Sequence, residues 1–412
     1  MGRSEAAEVN RLCDSWGVTK NIIAQVFDTT ATNTGCENGA CTIYEAEFLK
    51  RKVLWCACRR HVDEVIVSDV WKALFGKTSS PDNELFQEFR DEIWSELDTT
   101  QEFKTLDLQS RQLRSKRDEA LAFYNELLTS ANSKDQLPRA DYKESAQCSM
   151  QLLGAVPPGG VRWYMPASTS NVRWMVTHLY TSKMVAFSKQ FLMEDELFHM
   201  LHRLAIFLTL YYIPHWLTTS IGVDAPVNDL LFFKNLLKLK SIDLQIAMAA
   251  ISALLRHLWY LTEEFAPICL FSSKVCDQEK AQIAKQIVKY RAKYCADQCL
   301  GQPIFPTVRE TTQLKDLIGP KSWLMFSFFD DASWLKLPVK CWNTDANFKE
   351  MLHFATHLKV VNDLAERGVQ FMANYSDIIT KDVDQKQYLL QSVEDHRRRF
   401  TDCKKKTLLT SP

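Results

Sequence analysis

The chain has no excess of charge of either sign: 50 Lys and Arg stand against 50 Asp and Glu in 412 residues. No global field therefore draws it to nucleic acid, and any such contact must rest on local patches. It also lacks a long apolar run. The most apolar stretch, 204–217, carries Pro214 and His215 and falls short of the roughly 20 residues a bilayer span needs. A buried helix is predicted there, and no membrane partner is expected. The start, Met-Gly-Arg-Ser-Glu, has no secretory pattern, so an intracellular protein of the nucleus or cytoplasm is expected. Twelve cysteines show no compact repeat, which suits free thiols in a reducing compartment better than a disulfide framework. A Gly-rich phosphate loop of Walker type is absent too. What is present is ordinary for a globular chain: 46% hydrophobic and 24% charged residues, enough for two or three compact units.

The first 75 residues have the clearest pattern. The apolar run 22–27 suits a buried strand; it ends at Asp28 and enters the polar turn 29–35. A helix is predicted over about 40–49, a second strand over 53–58 and an amphipathic helix over about 61–75, where Val62, Val65, Ile66, Val70, Ala73 and Leu74 recur at helical spacing. Strand, helix, strand, helix implies parallel strands with crossover helices. Asp28 and the Cys58/His61 pair then fall just past the carboxyl ends of their strands, the edge where ligands collect in open α/β sheets. A carboxylate there is a candidate Mg²⁺ ligand. Equally, Asp28 can cap a turn and His61 a helix.

Several stations of the sequence carry a family resemblance. Phe27-Asp28-Thr29-Thr30-Ala31-Thr32-Asn33-Thr34-Gly35, Gly39-Ala40-Cys41 and Cys58-Arg59-Arg60-His61-Val62-Asp63-Glu64 resemble transposon-derived proteins related to the hAT and P-element transposases. Further stations are Arg173-Trp174-Met175, Tyr180-Thr181-Ser182-Lys183, Arg256 to Leu261 and Val360 to Val369. The resemblance implies a partial RNase H-like fold interrupted by a helical insertion, mostly α overall. It implies a domain of 1–76 holding the strands, a helical insertion over 77–345, and C-terminal helices over 346–412 that complete the core. Asp28 matches the second catalytic Asp of the hAT group, and Cys58 and His61 match its Cys-x-x-His motif, although Arg60 stands where related sequences carry a further His.

Within the expected insertion, 84–98 and 108–130 read as charged helices, and 131–171, with its prolines and glycines, as a linker. Long helices are predicted over about 172–217, 227–239 and 241–271, then a lysine-rich helix over 275–296, with an irregular aromatic segment over 300–343. The last helix, about 347–375, has Leu352, Ala355, Leu358, Val361, Ala365, Val369 and Met372 as its apolar stripe. Within it, Asn362, Asp363 and Glu366 lie within one turn of each other. The resemblance makes Glu366 the third acidic ligand; Glu264, beside Glu263, is the alternative. An intact enzyme of this class holds Mg²⁺ or Mn²⁺ ions on three carboxylates for in-line displacement at DNA. The first of these acids is expected on an opening strand upstream of the Asp28 strand. Of the 27 residues before Asp28 only Asp14 is an aspartate, and it sits in a helical pattern. The chain is thus expected to be an inactive remnant, with DNA as its ancestral partner and an open sheet edge that invites homo-oligomers. The alternative is a non-catalytic helical scaffold for protein or DNA. Cys36, Cys41, Cys56, Cys58 and His61 do not match a common zinc-finger spacing, so zinc is not expected. Arg397 to Arg399 with Lys404 to Lys406 read as a nuclear-import signal, a phosphate contact or a solvated tail.

Overall fold

The computed structural model describes residues 2–76, 83–130, 137, 140–166, 175–295, 300–361 and positions 380, 382 and 385. These residues are mostly helical, with one small two-stranded parallel sheet. Contacts group Met1–Asp69 with His215–Asn362 as one compact unit and Val70–Pro214 with Asp363–Pro412 as another. The grouping follows packing, not chain order, since 215–361 packs with the strands.

In the first unit, α1 (Gly2–Ser15) leads to β1 (Ala24–Phe27), α2 (Ala40–Ile43, continued as a π-helix over Tyr44–Leu49), β2 (Leu54–Ala57) and α3 (Arg59–Phe75). The β1–β2 register runs from Ala24↔Leu54 to Phe27↔Ala57. Parallel strands need such a crossover between them, and α2 supplies it. Helix α1 packs on α2 through Ala6, Ile43 and Tyr44. Strand β2 is buried throughout, as its unbroken apolar run predicts, whereas Val26 of β1 is 45% exposed. Trp55 stacks on Trp259 with ring centres 6.0 Å apart, Phe27 meets both edge-on, and the Tyr260 hydroxyl donates to the Ala57 carbonyl.

Helix α3 continues into the second unit. There it is followed by helical turns over 84–96, then α4 (Arg111–Thr129), α5 (Ala140–Leu152), α6 (Met175–Ala186) and α7 (Asp195–Phe207). Helix α5 lies inside the span read from sequence as a linker. The prolines and glycines that suggested a linker lie outside it, and its polar side chains Glu144, Ser145, Ser149 and Gln151 are buried. Between α6 and α7 the expected continuous helix is interrupted over 187–194.

Back in the first unit come α8 (Ala225–Leu239), α9 (Leu244–Leu255), α10 (Asp277–Tyr290) and α11 (Ala346–His357). The helix expected over 241–271 stops at Leu255 and gives way to 3-10 turns, Trp259–Leu261 and Ala266–Phe271, the second with Pro267 at its start. The aromatic segment forms 3-10 turns too, packed around Trp334, whose ring centre is 4.9 Å from those of Trp342 and Phe348. Helix α11 ends well before Tyr375. Leu358 is extended, and the Val360 carbonyl accepts a 2.9 Å hydrogen bond from the Arg59 amide, so the chain is held beside the start of α3. The remainder of that expected helix lies outside the described residues. No helix among the described residues is long and apolar enough to cross a membrane.

Candidate functional site

The parallel register aligns the carboxyl ends of the two strands. Asp28 follows Phe27 and Cys58 follows Ala57, and the Cys58 amide donates to the Phe27 carbonyl at 2.7 Å. Asp28 turns its carboxylate onto the chain ahead. One oxygen accepts from the Thr30 amide at 3.0 Å, the Thr30 hydroxyl at 2.6 Å and the Asn33 amide group at 2.8 Å. Partial burial raises its pKa, but these donors, helped by His61, outweigh it and hold the carboxyl below its ordinary range. Asp28 therefore fixes the turn that opens the one-turn helix Ala31–Thr34, the capping role open to it from sequence.

Gly39 completes that turn. A Cβ there would stand 2.5 Å from both the amide nitrogen and the carbonyl oxygen of Gly35. Only a glycine lets the two segments touch.

The Cys-x-x-His pair divides between interior and surface. Cys58 is buried, and His61, one turn into α3, is half-buried. The His61 charge is felt at Asp28 and also at His257, which belongs to the Arg256 to Leu261 station of the resemblance. Burial first, then Arg256 and His61, push His257 down to about 4, against the opposing pull of Asp69. Its Nδ1 accepts from the Trp259 indole at 3.4 Å, and Arg256 pairs with Asp69. His61 thus acts on Asp28 at the strand end and on His257 farther along α3, where Asp69 is paired with Arg256.

Glu264 lies elsewhere. It is buried with Lys321 at 3.4 Å and within the field of Lys52. Lys52 precedes β2, so this cluster belongs to the amino end of the sheet, opposite Asp28. There Glu45 accepts from the Val53 amide (3.2 Å), the Trp55 indole (2.8 Å) and the Gly301 amide (2.6 Å), and pairs with Lys52 at 3.4 Å. Neither Glu45 nor its clasp is visible in sequence spacing, because its partners are up to 256 residues away. Glu366, Asn362 and Asp363 lie outside the described residues, as does the basic tail.

A second buried network explains the charges around the motif. Arg59 pairs with Asp229 and donates to the Thr219 carbonyl at 3.0 Å. His215 lies 3.4 Å from Asp63 and 3.9 Å from Asp229, stacked on Phe232. Burial works against the Arg59 charge, but Asp229 and Asp63 outweigh it and raise its pKa. Arg59 and Asp63 of this motif are therefore internal.

For Mg²⁺ the fit is poor among the described residues. The strand edge offers Asp28, with one oxygen already committed, beside His61, whereas Mg²⁺ takes oxygen ligands in an octahedron. No group of three or more His, Cys, Asp or Glu placed to hold a metal ion occurs among the described residues. Of the cysteines weighed for zinc, Cys41, Cys56 and Cys58 are buried, and exposed Cys36 contacts Gln302 at 2.8 Å. No family profile, curated protein or solved structure matches the chain.

Proposed function

We propose that this chain is a transposase-derived protein that binds DNA without cutting it. The observation that supports the reading is the pairing of β1 with β2 in parallel. It brings Asp28 and the Cys58–His61 junction to one sheet edge, as expected of an RNase H-like core. The non-cleaving part rests on Asp28: its three-donor turn commits one oxygen of the carboxylate to structure.

The test is nicking of supercoiled plasmid by the intact chain in Mg²⁺ and Mn²⁺, with Asp28→Ala alongside, and gel retardation of the same DNA. Retardation without nicking by either protein is the expected result. Nicking by the natural chain that disappears in Asp28→Ala would overturn the non-cleaving reading and restore an enzyme. No retardation would remove DNA as the partner and favour a helical scaffold for protein.

A further inference from the structure

Helix α10 carries a stripe of like charge. Lys285 and Lys289 of the helix and Lys293 of the 3-10 turn that continues it repeat every four residues. That spacing sets them on one face, about 6 Å apart along the axis. All three are exposed, while Ile283, Ala284 and Ile287 bury the opposite face. Towards the amino end the same face continues with neutral, exposed Gln278 and Gln282. None of the three lysines is in an ion pair among the described residues.

The helix dipole accounts for Lys289 in the last turn, but its effect fades beyond that turn. Lys285 is too far inside, and Lys293 lies past the end. Like charges at i, i+4 destabilise a helix by a few tenths of a kcal/mol per pair, so the stripe opposes its own helix with no internal anion to offset it. Beside it, the Arg291 guanidinium lies 4.5 Å from the centre of the half-buried Trp323 ring, and Lys293 lies 5.8 Å from that of Tyr290. These rings hold two of the cations in place without neutralising them. Asp331 is close enough for Arg291 and Lys336 to act on it, but its carboxylate is engaged by Ser333 and Asn347.

We propose that this face is the docking surface for the phosphate backbone of duplex DNA, with Lys285, Lys289 and Lys293 each meeting a phosphate. Duplex DNA is the polyanion whose regular charge matches a straight stripe; the choice of partner rests on the DNA-binding reading above. It also shows how a chain of zero net charge can bind DNA through one local patch.

The experiment is fluorescence anisotropy of a labelled random-sequence duplex with the intact chain, between 50 and 200 mM salt. Three phosphate contacts give a log–log salt slope of about −2.7, so affinity should fall roughly 40-fold over that range. Lys285→Gln/Lys289→Gln/Lys293→Gln should bring the slope close to zero and weaken binding at 50 mM salt. A control, Lys143→Gln/Lys189→Gln/Lys340→Gln, removes three charges elsewhere and should keep the natural slope. If the natural chain binds but the stripe variant keeps its slope, this inference fails and the DNA-binding reading stands. If the natural chain does not bind duplex, both fail. Tighter binding of a single strand, with a slope near −2.1, would overturn the duplex assignment.

Discussion

Asp28 shows how one carboxylate can serve a turn and still stand where chemistry would want it. Its three donors make it an internal cap, and losing such a cap costs about 0.5–2 kcal/mol. Asp28→Ala is expected to lower stability by that amount in urea unfolding at pH 7, and Asp28→Asn, which keeps an acceptor, by less. The folded pKa is depressed, so the contribution of the charged form is fully present above the unfolded value of about 3.9 and is lost as pH falls through the folded value. The deficit of Asp28→Ala should therefore shrink in acid below about pH 4. Arg59 is a different case, buried against Asp229. Removing one member of a buried pair leaves an uncompensated charge at about 3–5 kcal/mol. Arg59→Met should cost that much by the urea midpoint, and Arg59→Met/Asp229→Asn markedly less. Equal losses in the single and double variants would mean that the packing of Arg59 on Tyr260, not its charge, is what counts.

At the scale of elements, α5 is held by polar contacts that a hydrophobic pattern does not report. Glu144 pairs with Lys183 of α6 at 2.6 Å, and His178 of α6 meets the Ser145 hydroxyl at 2.8 Å and the Ser149 hydroxyl at 3.2 Å. Burying such groups is costly unless each finds a partner, so their pairing fixes the register of the two helices. Lys183→Met is expected to destabilise the protein by about 3–5 kcal/mol, and Glu144→Leu/Lys183→Met to recover most of it. Thermal unfolding of the three proteins checks this, and failure of recovery would show that the pair does more than neutralise itself. Gly39 tests the crossover in the same way. Gly39→Ala must push the backbone of 33–35 aside, and a loss above about 1 kcal/mol is expected, within the range of overpacking. Gly17→Ala meets no neighbouring atom within 4 Å and carries only the cost of its positive φ.

For the whole molecule, two neutral histidines set the acid limit. Burial pushes His178 down to about 3 and, with its cationic neighbours, His257 down to about 4, from an ordinary 6.5. Between those values and 6.5 the unfolded chain binds more protons than the folded one, so stability rises with pH and falls on acidification. For His178 alone the slope approaches 1.4 kcal/mol per pH unit below about pH 6. Urea midpoints at constant ionic strength should drop steadily from pH 6.5 to 4. His178→Asn should flatten that fall while lowering stability at pH 7. A pH-independent midpoint over this range would refute both assignments.

The sequence by itself determined the local elements of the first 75 residues. A short apolar run bounded by polar turns and followed by a helix suits a strand, and the order strand, helix, strand, helix implies parallel pairing. Asp28 and His61 were legible for that reason: their positions follow from where strands end. The Glu45–Lys52–Glu264–Lys321 cluster, the Arg59–Asp229–His215–Asp63 network and the polar face of α5 were not legible. Each depends on partners dozens to hundreds of residues away, and a charged or hydroxyl side chain reads as solvated until its partner is known. His257 came within reach of His61 for the same reason, since only folding brings 257 beside 61. Local periodicity reports which face of a segment is apolar. Which polar groups are also inside is decided when distant segments meet, because their burial is tolerable only where another segment completes their hydrogen bonds and charge.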